Sequence, residues 1–188
     1  MKFLTQKRGF TLIETLVAIA IFASCITGLI SITARGVFSA NFVKNKFVAS
    51  YLSLEGAELV RNVRDSAVTG GTAGSWTAVF SSGGALAACM SSDLCYIDAD
   101  VGTSMLTAVA CDAGDCPYMS YRTNTSKFNY DFPDGTTNLL SIFKRTISVE
   151  PIGSGTEDVR VTSRVEWQQG TNTHNVTFTY DLMNWAGT

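Results

Sequence analysis

The sequence predicts an α+β fold in which one long helix near the N-terminus packs on a small antiparallel β-sheet. Three observations carry this. An unbroken apolar run opens the chain, helical spacing continues beyond it without a proline, and the last third alternates polar and apolar residues with a period of two.

The apolar run reads FTLIETLVAIAIFASCITGLISI from Phe10 to Ile32, 23 residues with one charge, Glu14. About 20 such residues cross a hydrocarbon core of about 30 Å, so residues 10–32 are expected to be a transmembrane helix. Lys7 and Arg8 lie directly against it and favour a cytoplasmic N-terminus, although Arg35, Lys44 and Lys46 follow on the other side. The precursor is thus expected to sit in the cytoplasmic membrane as a single-pass protein, with the remainder outside.

Residues 33–65 are expected to continue the helix as an amphipathic half. The prolines are Pro117, Pro133 and Pro151, all beyond it. Phe38, Phe42, Val48, Leu52, Leu59 and Val63 recur at helical spacing, broadened by Phe47, Tyr51 and Leu54. Glu58 with Arg61 and Arg61 with Asp65 stand at separations that meet on a helix surface. A helix from Phe10 to Arg64 would be about 80 Å long, and the bilayer accounts for less than half of that. Gly28, Gly36 and Gly56 weaken it by roughly 1 kcal/mol each relative to alanine, and Gly70-Gly71 ends it.

Residues 66–142 are rich in Gly, Ser, Thr, Ala and Asp. Apolar islands at Trp76–Phe80, Leu94–Ile97, Met105–Val109 and Phe128–Phe132 read as short strands in a loop-rich, cysteine-stapled region. Residues 143–188 read as a three-stranded antiparallel meander completing the head. Phe143–Glu150 is rich in strand formers. Val159, Val161, Val165 and Trp167 alternate with polar neighbours, as do Val176, Phe178, Tyr180 and Leu182. Gly153-Ser154-Gly155 and Gln169-Gly170-Thr171-Asn172 supply the turns. The apolar face of this meander needs a cover, and the helical stripe at Phe47–Val63 is the candidate.

Composition excludes several functions. Hydrophobic residues make up 46% and charged residues 16% of the chain, the opposite of a disordered protein. Residues 66–188 hold 6 basic and 12 acidic side chains, so nucleic acid is not expected as the main partner. There is no Walker loop, no G-x-S-x-G and no H-E-x-x-H, and the one histidine is His174. No enzyme activity and no cofactor are expected.

The sharpest motif is Lys7-Arg8-Gly9-Phe10-Thr11-Leu12-Ile13-Glu14. A carboxylate sunk in an apolar helix costs a few kcal/mol unless partnered, and no basic side chain occurs between Gly9 and Arg35. Cleavage between Gly9 and Phe10 would create an amine one helical turn from Glu14, or offer one to the Glu14 of a neighbouring subunit. The helix N-terminus also favours that negative charge.

On Gly9, Phe10, Thr11, Leu12, Ile13, Glu14 and Leu16 the chain resembles the type IV pilin-like family, over roughly residues 7–35. The resemblance implies that residues 1–9 are a leader cut after Gly9 by a prepilin peptidase, with N-methylation of Phe10. It further implies that Glu14 sets register during assembly. The implied partners are the other pilin subunits of the same filament, a filament assembly platform and the cytoplasmic membrane. Many major pilins of the family carry a proline midway along the helix, which this chain lacks. Tyr51-Leu52-Ser53-Leu54-Glu55-Gly56-Ala57-Glu58-Leu59-Val60-Arg61-Asn62-Val63-Arg64-Asp65 looks more like the corresponding stretch of minor pilins of the pilus-modification type. The implied function is a minor pilin or pseudopilin of a type IV pilus or type II secretion filament.

Rival readings differ in their expectations. A filament-tip adhesin predicts an exposed aromatic or apolar cluster in residues 66–142. A lipoprotein would use Phe22-Ala23-Ser24-Cys25 as a lipobox, but Glu14 interrupts the apolar region and Ile26 to Ile32 stays apolar where lipoproteins turn polar. The other cysteines, Cys89, Cys95, Cys111 and Cys116, fall within 28 residues. Their spacings suit disulfides of an oxidising exterior better than zinc. Of the three connectivities, the local pairs Cys89–Cys95 and Cys111–Cys116 are preferred over the nested Cys89–Cys116 and Cys95–Cys111. Asp98, Asp100, Asp112 and Asp115 lack EF-hand spacing and read as solvated loop acids; no metal is expected. Asn124-Thr125-Ser126 and Asn175-Val176-Thr177 match the sequon without indicating glycosylation.

Overall fold

The computed structural model describes residues 9–69, 75–90, 94–98, 106, 108–123, 126–130, 138–153 and 158–184. Lys7 and Arg8, Gly70-Gly71, Asp100, Met105, Asn124 and Pro133 lie outside these. The chain divides into two compact units, 1–44 and 45–188.

Helix α1 runs from Leu12 to Thr69, past the expected end at Arg64. In the first unit its apolar window has a mean hydropathy of 2.3 and none of it is buried. A soluble core helix would bury such residues; this one is long and apolar enough to cross a membrane. Several of its hydroxyls bond back to the helix backbone. Thr15 donates to the Leu12 carbonyl at 2.8 Å, Ser24 to Ile21 at 2.7 Å and Thr27 to Ser24 at 2.9 Å. Polar groups folded back in this way suit a surrounding that offers no hydrogen bonds.

In the second unit α1 lies on a five-stranded antiparallel sheet. Its order is β2-β1-β6-β7-β8, with β1 Cys95–Ile97, β2 Ala108–Ala110, β6 Phe143–Pro151, β7 Val159–Gln169 and β8 Asn172–Leu182. The expected meander is therefore three strands of a wider sheet, extended by β1 pairing Cys95 with Ile147. β1 and β2 fall on the apolar islands Leu94–Ile97 and Met105–Val109 read as short strands, but three residues are too few to show which strand each would pair with. A separate sheet β4-β3-β5 joins β3 Ser120–Arg122, β4 Lys127–Asn129 and β5 Asn138–Leu140. Gly170, at φ 63°, takes the left-handed conformation that the β7–β8 turn demands.

The face that α1 turns to the sheet shares Leu52, Leu59 and Val63 with the expected stripe but not Phe47, Tyr51 or Leu54. Buried on α1 are Ala49, Leu52, Ser53, Gly56, Ala57, Val60, Val63 and Arg64, whereas Phe47 and Tyr51 remain 62% and 66% exposed. The reason is distance. Small residues let the helix backbone approach a sheet whose inward side chains, among them Ile147, Val149, Val161 and Val165, are large and fully buried. Bulky Phe47, Tyr51 and Leu54 would hold it away. Tyr180 fixes the contact by donating to the Ala57 carbonyl at 2.7 Å.

Residues 66–142 depart from expectation at their start. Trp76–Phe80 belongs to helix α2, Ser75–Phe80, and Cys89 to helix α3, Ala87–Met90. Trp76, Val79, Phe80, Leu86, Cys89, Cys95 and Ile97 join Val60, Val63 and the sheet in one core. The described part of this region thus shares the core formed by α1 and the sheet.

Candidate functional site: the start of the long helix

Thr11 opens α1 by accepting from the backbone N–H of Glu14 at 3.1 Å and of Thr15 at 3.2 Å. Gly9 and Phe10 precede the first turn in irregular backbone, Phe10 being 77% exposed. The bond between them is therefore outside the helical hydrogen-bond ladder, on chain that a protease can take in extended form. Glu14 is the acidic residue of the first turn, where the free N–H groups and the helix dipole favour an anion. Among the described residues Glu14 forms no salt bridge. Leu12, Ile13, Leu16 and Val17 around it are all exposed, so the carboxylate stands on an apolar surface that has to be covered by lipid or by other chains.

Cys25, the lipobox candidate, is a free, exposed cysteine in the first quarter of α1.

The remaining cysteines are joined as Cys89–Cys95 and Cys111–Cys116. The first bridge ties α3 to β1 within the core, both residues being fully buried. The second closes a loop in which Asp112 and Asp115 form an isolated bridge. Of the acids weighed for calcium, Asp115 accepts from Lys144. No cluster of three metal-ligating side chains exists among the described residues. His174 stacks on Trp167 with ring centroids 5.5 Å apart.

Sequence reasoning missed a buried arginine beneath α1. Arg145 is 1% exposed. Its guanidinium donates to the Leu52 carbonyl at 3.3 Å, to Glu55 Oε2 at 3.1 Å and to the Ile97 carbonyl at 3.2 Å. It thereby links helix, β1 and β6. Tyr130 donates to the Arg145 carbonyl at 2.9 Å, and burial pushes its phenol up to about 12, against the opposing pull of the Arg145 charge. The signal was present: Phe143, Arg145, Ile147 and Val149 alternate, which puts the arginine on the inward face.

Residues 4–30 match the family model of the prokaryotic N-terminal methylation motif. No curated protein and no solved structure matches the chain. The matched segment holds Gly9, Phe10 and Glu14 together with the first turns of α1, and it implies processing by prepilin peptidase and assembly with other pilins. The chain thus carries a type IV pilin-like prepilin signature, which supports a structural subunit of the pilin or pseudopilin kind.

Proposed function

We propose that this protein is a minor pilin or pseudopilin of a type IV pilus or type II secretion filament. In this reading it waits in the cytoplasmic membrane with a cytoplasmic N-terminus. It is cut between Gly9 and Phe10, methylated on the new amine, and drawn by the assembly platform into a bundle of α1 helices. The observation that carries the reading is the methylation motif standing at the head of an α1 segment whose apolar surface is wholly exposed. Two free-energy terms drive assembly. Apolar helix faces exchange lipid for close-packed protein, and Glu14 gains the amine of a neighbouring subunit as its counter-ion in a medium of low dielectric. The absence of a mid-helix proline supports a minor rather than a major subunit.

The test is Glu14→Ala. Cleavage and membrane insertion are expected to continue, and incorporation into filaments to fall at least tenfold in immunoblots of sheared filaments. Normal incorporation of the variant would refute the role of Glu14.

A further inference from the structure

Over β6, β7 and β8 the face of the sheet turned away from α1 is polar. In the β6–β7 register Lys144 stands opposite Glu166, Thr146 opposite Arg164, and Ser148 opposite Thr162. Such a face is ordinarily open to water. Here the Cys111–Cys116 loop overhangs it, leaving the Lys144 side chain 18% exposed and Thr146 buried. The result is a cleft of about 270 Å³ with Thr146, Ser148 and Thr162 on its floor and Gly114 and Asp115 in its wall. The wall is held firmly. A disulfide closes it, Cys111 N–H donates to the Leu94 carbonyl at 2.7 Å, and Asp115 accepts from Lys144. A second depression of about 180 Å³ shares Lys144 and Glu166 and adds Tyr118, Gln168 and Thr173.

The chemistry of this lining selects its ligand. Each cation is already met by an anion, Lys144 by Asp115 and Arg164 by Glu166. A charged ligand would meet one repulsive group beside every attractive one. Hydroxyls and an amide, which both donate and accept, make up most of the rest. Polar and apolar surface are about evenly mixed across the two linings, which also include Leu94 and Trp167, and this suits a ligand with both hydroxyls and C–H faces better than a wholly apolar one. Tyr118 adds an aromatic wall: it is 44% exposed, with the Lys144 ammonium 5.0 Å from its ring centroid. A ligand rich in hydroxyls, without net charge, and with C–H faces to lay on a ring meets all of these conditions.

We propose that the two depressions form one binding site for an uncharged saccharide, with one ring over Thr162 and the next against Tyr118. The proposal rests on the pilin-like reading only in placing the site outside the cell. The test uses the full chain in a zwitterionic detergent without a sugar headgroup, applied to an array of neutral, sialylated and sulfated glycans and a neutral Ser/Thr/Gln-rich peptide. Neutral glycans are expected to be retained, and Thr162→Val and Tyr118→Ala to weaken retention at least tenfold each. Both variants are expected to enter filaments at the wild-type level, which separates failure of the site from failure of assembly. Retention of charged glycans or of the peptide alone, no retention at all, or equal retention by both variants would overturn the proposal.

Discussion

Gly56→Ala sets two opposing effects against each other. In an exposed helix interior this change stabilises by about 1 kcal/mol. At position 56, however, an added Cβ would lie 2.5 Å from Ser163 Oγ and 2.8 Å from Arg145 Cδ. Ser163 can rotate its hydroxyl away. Arg145 cannot, because its guanidinium is tied to Leu52, Glu55 and Ile97. The helix must therefore lift from the sheet, and overpacking of this kind costs about 1–3 kcal/mol. The net expectation is a loss of about 1 kcal/mol, seen as a melting temperature lower by roughly 2–4 °C for a unit of this size. The assay is thermal unfolding of the full chain in detergent, followed by near-ultraviolet circular dichroism. A variant more stable than wild type would show that α1 does not lie this close to β6 and β7, and the account of the small-residue face would fail.

Two further outcomes follow from the same layer. Arg145→Met should cost about 2–3 kcal/mol in denaturant unfolding, since charge-assisted bonds into buried carbonyls are lost. Glu55→Gln should cost less than about 1 kcal/mol, because the side chain of Glu55 is 44% exposed and the glutamine carbonyl can still accept from Arg145; equal losses would contradict the assignment. The raised Tyr130 phenol makes stability dependent on alkaline pH. A proton held more tightly in the folded state contributes stability that is intact below pH 10 and lost as pH rises through about 12. Tyr130→Phe should flatten part of that fall, Tyr180, also raised by burial, supplying more of it. An unchanged alkaline slope in Tyr130→Phe would refute the burial of that hydroxyl.

Long periodic segments were legible and contact detail was not. The run from Phe10 to Val63 and the alternation in Phe143–Leu182 extend over enough residues for a period to show. Helix α1 and strands β6, β7 and β8 follow from them directly. Which side of α1 faces the sheet depends on how closely two backbones approach, and hydrophobicity ranked Phe47 and Tyr51 above Ala49, Ser53 and Gly56, the residues that make the contact. Helices α2 and α3 and strands β1 and β2 span six residues or fewer, so their place in the core came from tertiary packing. The candidate site shows the same division. Gly9, Phe10 and Glu14 form a local motif readable in eight consecutive residues, whereas Arg145 and the cleft over β6 and β7 join residues far apart in the chain.

The claim beneath the whole account is that the mature chain begins at Phe10, with its new amine available to Glu14. Intact-mass spectrometry of the membrane-extracted protein measures this directly. The predicted mass is that of residues 10–188 with two disulfides and one added methyl group. A mass retaining Met1–Gly9, or one starting at a lipid-bearing Cys25, would contradict it.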